Sequence, residues 1–426
     1  MNTFDLIIDS LKKSGADAWR LTEKTEETGE LFFVKHQLDT RRIKDTHKFS
    51  VTVFKDGISG DDKLRGCTDT EVLPSDSAEE IERRIADAVY AAGFAMNPYY
   101  ELADAVTAPE IKKTGSLAVD EIAVSIGKMA KALFAPDTRE DAFLNSAEIF
   151  GHKRSVRIVT SAGTDVSYTD AEVKGEFVVQ CKKPEDVEMY HDFKYDSCDT
   201  DALSEKVAEA LDFVADRAKA EKVLKSGKYD LVLCGAEVEE VLGYYAERAN
   251  AAMIFPHYST WKAGDDVQGE TTGEKLALTL TATTPYSPEG IAMKDLPLVR
   301  DGKLENVFGT TQFCRYLGIT PTGNHSKLTC DNAGTVTLAD MKKKNCLVAV
   351  AFSDFQMDSF SGHFGGEIRL AYLIEDGKVT PVTGGSVNGS LLEAQKNLVF
   401  STDRYKSASY DGPYAMRMTD VAVAGL

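Results

Sequence analysis

The sequence predicts an α+β protein: an N-terminal α/β domain with antiparallel strands and long helices, followed by a mostly antiparallel, β-rich C-terminal domain. The chain has 426 residues, of which 43% are hydrophobic and 27% charged, which is enough to bury large cores and is typical of a fully folded protein. Apolar residues at helical spacing are concentrated in the first half. Turn signals that favour hairpins recur in the second half, at residues 301–302, 376–377 and 384–385.

A composition change near Ser226-Gly227-Lys228 marks the predicted domain boundary, because strand-rich sequence begins there. The predicted domains are therefore residues 1–226 and 227–426. Cap residues, helical spacing and glycine or proline stops predict helices in the first domain at residues 4–11, 75–92, 119–134 and 203–224. The strands predicted there are short, at residues 18–23, 31–38, 49–54 and 155–160. The strands predicted in the second domain are residues 229–234, 276–283, 346–352 and 368–374.

Charge and cysteine pattern exclude several classes of function. The formal net charge of −19 repels a phosphate backbone, and the longest basic run is Lys342-Lys343-Lys344, so no nucleic-acid partner is expected. The seven cysteines are scattered singly, without the close pairs of a zinc ribbon or a redox motif. No run approaches the roughly 18 apolar residues that span a bilayer, and the first residues do not resemble a secretory signal. We therefore expect a cytoplasmic protein without a membrane partner.

A further helix is predicted over residues 237–249, directly after the strand that ends near Cys234. Its apolar residues, continued by two beyond residue 249, lie three and four positions apart on one face: Val238, Val241, Leu242, Tyr245, Ala249, Ala252 and Met253. Glu239, Glu240 and Tyr244 lie off that face. They are predicted to form the solvated side of a core-packing helix, unless they contact a substrate or a partner chain.

Segments along nearly the whole chain resemble the TldD/PmbA family, whose names include modulator of DNA gyrase and metalloprotease. The N-terminal resemblance rests on residues 49–60 (FSVTVFKDGISG) and the helix at residues 75–92 that follows. The C-terminal resemblance rests on residues 295–304 (DLPLVRDGKL), 322–324 (TGN) and 372–382 (YLIEDGKVTPV), which occur in the order seen in the family. Each segment alone is weak evidence, whereas three in this order are fairly specific.

The resemblance also implies which branch of the family this chain is closest to. In the TldD branch, the helix at this place resembles H-E-x-x-x-H, in which two imidazoles bind zinc and the glutamate acts as a general base on bound water. The matching positions here are Glu239, Glu240 and Tyr244, so only the acid is kept. A neutral phenol with a pKa near ~10 is a poor zinc ligand, and no cysteine after Asp403 matches the branch's later metal ligand. The resemblance is therefore to the PmbA branch, also called TldE, which implies a metal-free subunit, with zinc expected only in a TldD-type partner.

Outside that helix, three residues are candidates for binding a substrate or a partner: Asn324, His325 and His363. Asn324 and His325 follow a predicted turn at residues 321–323, and turn chemistry alone explains them equally well. His363 lies in the glycine-rich segment at residues 361–366. A nearby Ser359 or Ser361 suggests a hydrolase, but the G-x-S-x-G elbow of such enzymes is absent.

These observations leave functions of different classes. The favoured hypothesis is a metal-free subunit, a pseudoenzyme on its own, that completes a TldD-type peptidase in peptide maturation or degradation. Its partner would be a TldD-like protein in a heterodimer, or a second copy in a homodimer. The alternative is an independent metallopeptidase or hydrolase with ligands from scattered residues such as His257, His325 and His363. A third hypothesis, regulation of DNA gyrase, rests on the family name alone.

Overall fold

A computed structural model describes residues 2–425 and confirms the predicted fold class, with an N-terminal α/β part and a β-rich C-terminal part that includes a barrel. The N-terminal part contains, in chain order, α1 (Thr3–Lys13), β1 (Ala18–Val34), β2 (Gln37–Ser59), β3 (Asp62–Val72), α2 (Ala78–Ala92), β4 (Met96–Pro98), α3 (Ser116–Val119), α4 (Ile122–Phe134), β5 (Ala142–Thr160), β6 (Asp165–Cys181), β7 (Val187–Tyr195) and α5 (Thr200–Arg217).

The N-terminal strands form one antiparallel sheet in the order β4-β3-β2-β1-β5-β6-β7. One face of this sheet is apolar and packs against α1 and α2 at one end and against α4 and α5 at the other. The opposite face is polar, with Arg154 at its centre. The guanidinium of Arg154 donates to Glu26 at 2.7 Å, to Glu172 at 2.6 Å and to Asp170 at 3.3 Å. This ion-pair network joins β1, β5 and β6.

The predicted short strands in the first domain are wrong in length. β1 and β2 are continuous strands of 17 and 23 residues, joined by a tight hairpin at residues 35–36. The strand predicted at residues 155–160 is the end of the 19-residue β5. Lys24 and Glu26, between the first two predicted strands, lie on the polar face of the sheet, where ion pairs stabilise them in extended backbone.

The predicted helices are present, with two differences. The helix expected at residues 119–134 is α4, which begins only at Ile122, because Asp120 and Glu121 adopt extended backbone and separate it from the short α3. The helix expected to reach residue 224 ends at Arg217. α2 begins with a capping box, in which the Ser77 hydroxyl accepts from the Glu80 amide and the Glu80 carboxylate accepts from the Ser77 amide. Within residues 2–425, no helix combines the length and apolar character needed to cross a membrane.

The C-terminal part continues with strands and short helices around α6. Its elements are β8 (Gly227–Cys234), α6 (Ala236–Ala249), α7 (Ala251–Ile254), β9 (Leu278–Thr281), β10 (Leu296–Arg300), β11 (Lys303–Leu304), α8 (Thr311–Tyr316), β12 (Lys327–Cys330), α9 (Leu338–Met341), β13 (Cys346–Met357), β14 (His363–Glu375), β15 (Lys378–Val382), β16 (Ser386–Ser390), α10 (Leu391–Ala394), β17 (Val399–Phe400), β18 (Arg404–Lys406), β19 (Tyr410–Pro413) and β20 (Ala415–Ala424).

Five of these strands close into a barrel. β8 pairs with β13 in parallel and with β20 in antiparallel orientation, and β20 continues through β16 to β14. β14 then pairs with β13, which closes the ring. A second sheet has the order β11-β10-β9-β12-β19-β18. The apolar face of α6 packs in one core with leucines of both sheets, so α6 lies between barrel and sheet.

Two of the three predicted turns form hairpins. Asp301-Gly302 joins β10 to β11, and Asp376-Gly377 joins β14 to β15; all four residues have positive φ, as this kind of tight turn requires. The Gly384-Gly385 prediction is wrong as a hairpin, because β15 and β16 pair with successive parts of β14 and not with each other.

Polar contacts join the two parts of the molecule along α5. The Tyr372 hydroxyl donates to Asp216 at 2.7 Å, and the Tyr414 hydroxyl donates to Glu209 at 2.6 Å. The amide of Ala408 donates to the carbonyl of Lys194, at the end of β7. The position of the domain boundary near residue 226 stays a prediction.

Candidate functional site

α6 holds the three positions at which the sequence suggested a degenerate zinc motif. Gly235, at φ +65°, turns the chain from β8 into the helix. The predicted apolar face is buried as far as Ala249, whereas Ala252 and Met253 are only partly buried and lie in α7, beyond the end of the helix. The opposite side of the helix is flanked by the segment between β13 and β14 and by the segment that follows α7.

Glu239 and Glu240 contact different segments. The Glu239 carboxylate accepts from the Ser407 hydroxyl at 3.4 Å, in the turn between β18 and β19. Partial burial raises the pKa of Glu239, and the hydrogen bonds from Ser409 and Ser407 lower it in part. Glu240 is exposed and accepts from the backbone amide of Met357 at 3.4 Å. The two carboxylates therefore contact separate loops on either side of the helix.

Tyr244 is not on a solvated side of the helix, contrary to the sequence-based expectation. Its side chain is only 4% exposed and packs edge-on against Tyr245 and Trp261, with ring centroids 5.5 and 5.8 Å apart. Arg248 lies over the other side of this cluster, 5.7 Å from the Trp261 ring. Helical periodicity did not reveal this burial, because Trp261 reaches the helix from a segment beyond α7. Burial raises the pKa of Tyr244, so the phenol stays protonated.

The residues at the three motif positions do not fit a zinc ion. Zinc sites in proteins use thiolate, imidazole or carboxylate ligands that converge on one point. Here one position is a buried, protonated phenol, and the two carboxylates are hydrogen-bonded to different loops. Across residues 2–425, no group of three His, Cys, Asp or Glu side chains lies close enough together to hold a metal ion. The structure thus does not bring together the scattered set His257, His325 and His363.

Asn324 and His325 lie near the C-terminal end of α6. The Asn324 side chain is exposed and accepts from the Asn250 side-chain amide at 3.4 Å, directly after the helix. His325 Nε2 lies 2.9 Å from the Lys294 carbonyl, so Nε2 carries the proton and donates. Its buried Nδ1 has no partner within the described chain. Asn324 is therefore accessible, while His325 is held by the backbone beside it.

His363 is exposed at the start of β14, and its contacts do not form a hydrolase triad. Its Nδ1 lies 3.1 Å from the Ser361 hydroxyl, which donates to Asp358. A triad requires the histidine between the serine and the acid, so that it can take the serine proton. Here the serine lies between the other two. Ser359 instead donates to Glu247 of α6.

A cleft of about 820 Å³ between the two parts of the molecule was not predicted from the sequence. It is lined by β7, α5, the first turn of α6, β13 and β18, with Tyr195, Phe213, Phe352, Tyr405 and Tyr414 as aromatic walls. His191, Lys206 and Glu237 also line it. They come from three distant segments with no shared motif, and the only sequence signal was an acidic residue in the first turn of a predicted helix.

Burial shifts the pKa of each of these three groups towards its neutral form. The pKa of Glu237 is raised to about 7, and that of His191 is lowered to about 4. Burial also lowers the pKa of Lys206, although the carboxylates of Asp192, Glu209, Glu237 and Glu239 oppose this effect. Near neutral pH, His191 is therefore uncharged and Glu237 is partly protonated.

Comparison with known sequences identifies a family profile and curated relatives that match part of the chain. The sequence profile of the PmbA/TldA metallopeptidase C-terminal domain matches residues 226–425. A metalloprotease of Methanothermobacter thermautotrophicus is 24% identical over 205 residues, which are 42% of this chain and 45% of that protein. The Metalloprotease TldD homolog of Haemophilus influenzae is 28% identical over 131 residues, 27% of each protein. The matched region thus spans less than half the length of either curated relative.

Solved structures resemble the chain over nearly its full length. The crystal structure of TldE from Thermococcus kodakarensis superposes with a TM-score of 0.77 at 15% identity, covering 99% of both chains. A protein of Bacteroides thetaiotaomicron, described as a candidate modulator of DNA gyrase, superposes with a TM-score of 0.80 at 18% identity, covering 99% of this chain and 98% of that one. At these identities the similarity establishes a shared fold.

Proposed function

Because this chain is a member of the TldD/PmbA family, we propose that it is a zinc-free, TldE-like subunit that completes a TldD-type peptidase acting on peptides. In this role the TldD-like partner supplies the zinc and the general base. This chain supplies part of the walls that enclose the substrate. The proposal includes the cytoplasmic location expected from the sequence.

The replacement of the zinc motif on α6 is the observation that carries this proposal. Glu239, Glu240 and Tyr244 occupy the places of the ligands and the base in the TldD branch, and each makes contacts unlike those of a metal ligand. Tyr244 supports the core through Trp261 and Tyr245. On this proposal the helix keeps its structural role and supplies none of the chemistry of a zinc peptidase.

We propose that the outer side of α6 and its two flanking loops contact the partner or the peptide. Along the helix, Glu240 meets the end of β13, Glu247 meets Ser359, and Asn250 meets Asn324. His363 is exposed at the end of the same flanking loop. Glu240 and Asn324 are exposed on this surface, which makes them and His363 the residues best placed for such contacts.

The experiment that tests the subunit role is co-expression with a TldD-type protein from the same cell, followed by metal analysis and cleavage of an unstructured peptide. We expect a complex with zinc only in the partner, and cleavage only by the pair. The charge reversal Glu240→Lys should weaken the complex about tenfold or more, as loss of an interface charge contact does. Glu82→Lys, at an exposed position of α2, is the matched control and should leave assembly unchanged.

Two results would contradict the subunit role. Stoichiometric zinc in this chain purified alone, together with cleavage by it alone, would show an independent metallopeptidase and reject the subunit role. An inactive chain that binds gyrase in place of a TldD-type protein would support the regulatory hypothesis instead.

A further inference from the structure

The cleft between the two parts of the molecule contains an ammonium and a carboxylate that are not used by the protein itself. Among the contacts of residues 2–425, Lys206 makes no hydrogen bond or ion pair, and its ammonium lies 5.7 Å from the centre of the Tyr405 ring. Glu237 accepts only from its own backbone amide. The two groups are close enough to affect each other's charge, yet they do not pair with each other.

Two other partly buried charged side chains of this protein, Arg154 and Arg65, show the usual arrangement. Arg154, whose side chain is 18% exposed, contacts three carboxylates. Arg65, whose side chain is 6% exposed, donates to both oxygens of Asp56. Partly buried charges are normally paired, because desolvation without a partner costs free energy. Lys206 and Glu237 depart from that pattern at one place, where a third polar group, His191 Nε2, is also buried without a partner.

We propose that this cleft binds a short peptide with both ends free, whose terminal ammonium pairs with Glu237 and whose terminal carboxylate pairs with Lys206. A zwitterion satisfies both unpaired charges at once without adding net charge to the cleft. His191 Nε2 and the Tyr405 hydroxyl lie on the same walls and provide further polar contacts. The aromatic walls fit the apolar parts of such a ligand, and the volume is within the range of small-ligand sites.

The chemistry of the walls favours this ligand over a singly charged one. An anion would pair with Lys206 or with an arginine of the walls, such as Arg217, Arg369 or Arg404, and would leave Glu237 without a partner. A cation without a carboxylate would pair with Glu237 and leave Lys206 unpaired. A peptide blocked at either end would likewise leave one protein charge without a partner.

The test is isothermal titration of the purified chain with three tripeptides at pH 7.5. The probes are Ala-Ala-Ala, its N-acetyl form and its C-terminal amide. We expect the free tripeptide to bind, and each blocked form to bind about tenfold more weakly, as expected from the loss of one charge-assisted hydrogen bond. Equal affinity for all three, or no binding of the free tripeptide, would overturn the proposal.

Variants then assign each end of the peptide to its residue. Glu237→Gln should bind the free and N-acetyl forms equally while still discriminating against the amide. Lys206→Met should bind the free and amide forms equally while still discriminating against the N-acetyl form. Glu82→Gln on α2 and Lys219→Met just after α5, both at exposed positions, are controls that should bind as the parent does. If both cleft variants keep the discrimination of the parent, the assignment is wrong.

This inference goes beyond the proposed subunit role and does not depend on it. The titration uses this chain alone and needs neither zinc nor a partner. Failure of the titration would leave the cleavage experiment unaffected, and failure of the cleavage experiment would leave the cleft free to bind peptide ends.

Discussion

The titration of Glu237 makes the stability of this fold depend on pH. Its pKa is about 7 in the folded protein, because burial disfavours the charged form, against 4.5 when unburied. The folded state therefore binds more protons than the unfolded state between these values, and stability falls as pH rises from about 4.5 to 7. Several titratable or charged groups face the same region from neighbouring elements: His191, Asp192, Lys206, Glu209, Glu239, Glu240, Arg404, Tyr405 and Tyr414.

Glu237→Gln removes this group with little change of shape. We expect the variant to be more stable than the parent at pH 8, by at most about 3 kcal/mol, and equal to it at pH 4.5. Urea unfolding of both proteins across this pH range measures the difference. A difference that does not change with pH would contradict the assignment of the titration to Glu237.

At this scale, sequence reasoning was limited by contacts between distant segments. The apolar face of α6 was predictable, because every residue on it follows helical spacing. The burial of Tyr244 was not, since it depends on Trp261. Lys206, His191 and Glu237 carried no motif, because their proximity arises only when α5, β7 and α6 meet at the cleft.

At the scale of single elements, the ion pairs around Arg154 join neighbouring strands on the polar face of the N-terminal sheet. Burial raises the pKa of Glu26 and of Glu172, but hydrogen bonds from Arg154 and from lysines outweigh it and lower both values to about 2. The folded state binds fewer protons than the unfolded state between about 2 and 4.5. Stability from these carboxylates is thus present above pH 4.5 and lost as pH falls towards 2.

Arg154→Met should destabilise the protein by about 3 kcal/mol at pH 7, because it leaves three partly buried carboxylates without their shared partner. The deficit should shrink as pH falls below 4.5. Arg157→Met is the control on the same strand, where an exposed pair with Asp165 contributes at most about 1 kcal/mol. Equal losses in the two variants would show that the network adds nothing to stability.

The lengths of β1 and β5 exceeded prediction for a related reason. A run of charged residues such as Lys24 to Glu27 normally indicates a loop. Here the run lies in a strand, and every second residue of it lies on the polar face of the sheet. Ion pairs between strands, which no single segment displays, make that face stable. The hairpin turns at residues 301–302 and 376–377 were predictable, because Asp-Gly turn chemistry is local.

At the scale of the whole molecule, we propose that residues 1–226 and 227–426 are two domains with largely separate cores. They are coupled by polar contacts on α5 and by one apolar cluster, in which Tyr286 packs with Val156, Ile158 and Val166. The cores share few residues, and the Tyr372 and Tyr414 hydroxyls donate across to Asp216 and Glu209. Composition near residue 226 predicted the boundary. The contacts across this boundary could not be predicted from the sequence, because they join residues that are far apart in the chain.

Tyr372→Phe removes one of these contacts and should weaken the coupling by about 2 kcal/mol, the range for a hydrogen bond to a charged group. Calorimetry should show two unfolding transitions that lie further apart than in the parent. Tyr90→Phe, in which the lost hydroxyl is exposed on α2, should give the thermogram of the parent. An unchanged thermogram for Tyr372→Phe would mean that the apolar contacts alone couple the domains.

The pairing of β8 with β20 sets the order in which a ribosome can complete this protein. β8 is the first strand of the barrel to be translated, but its antiparallel partner is the last, with Gly227 opposite Val423. The N-terminal sheet has all of its strands by residue 195 and can fold while translation continues. In contrast, β8 and β16 each keep an unpaired edge until residues 415–424 emerge. The growing chain is therefore most prone to aggregation late in its synthesis, and the finished N-terminal sheet is the part already folded at that time.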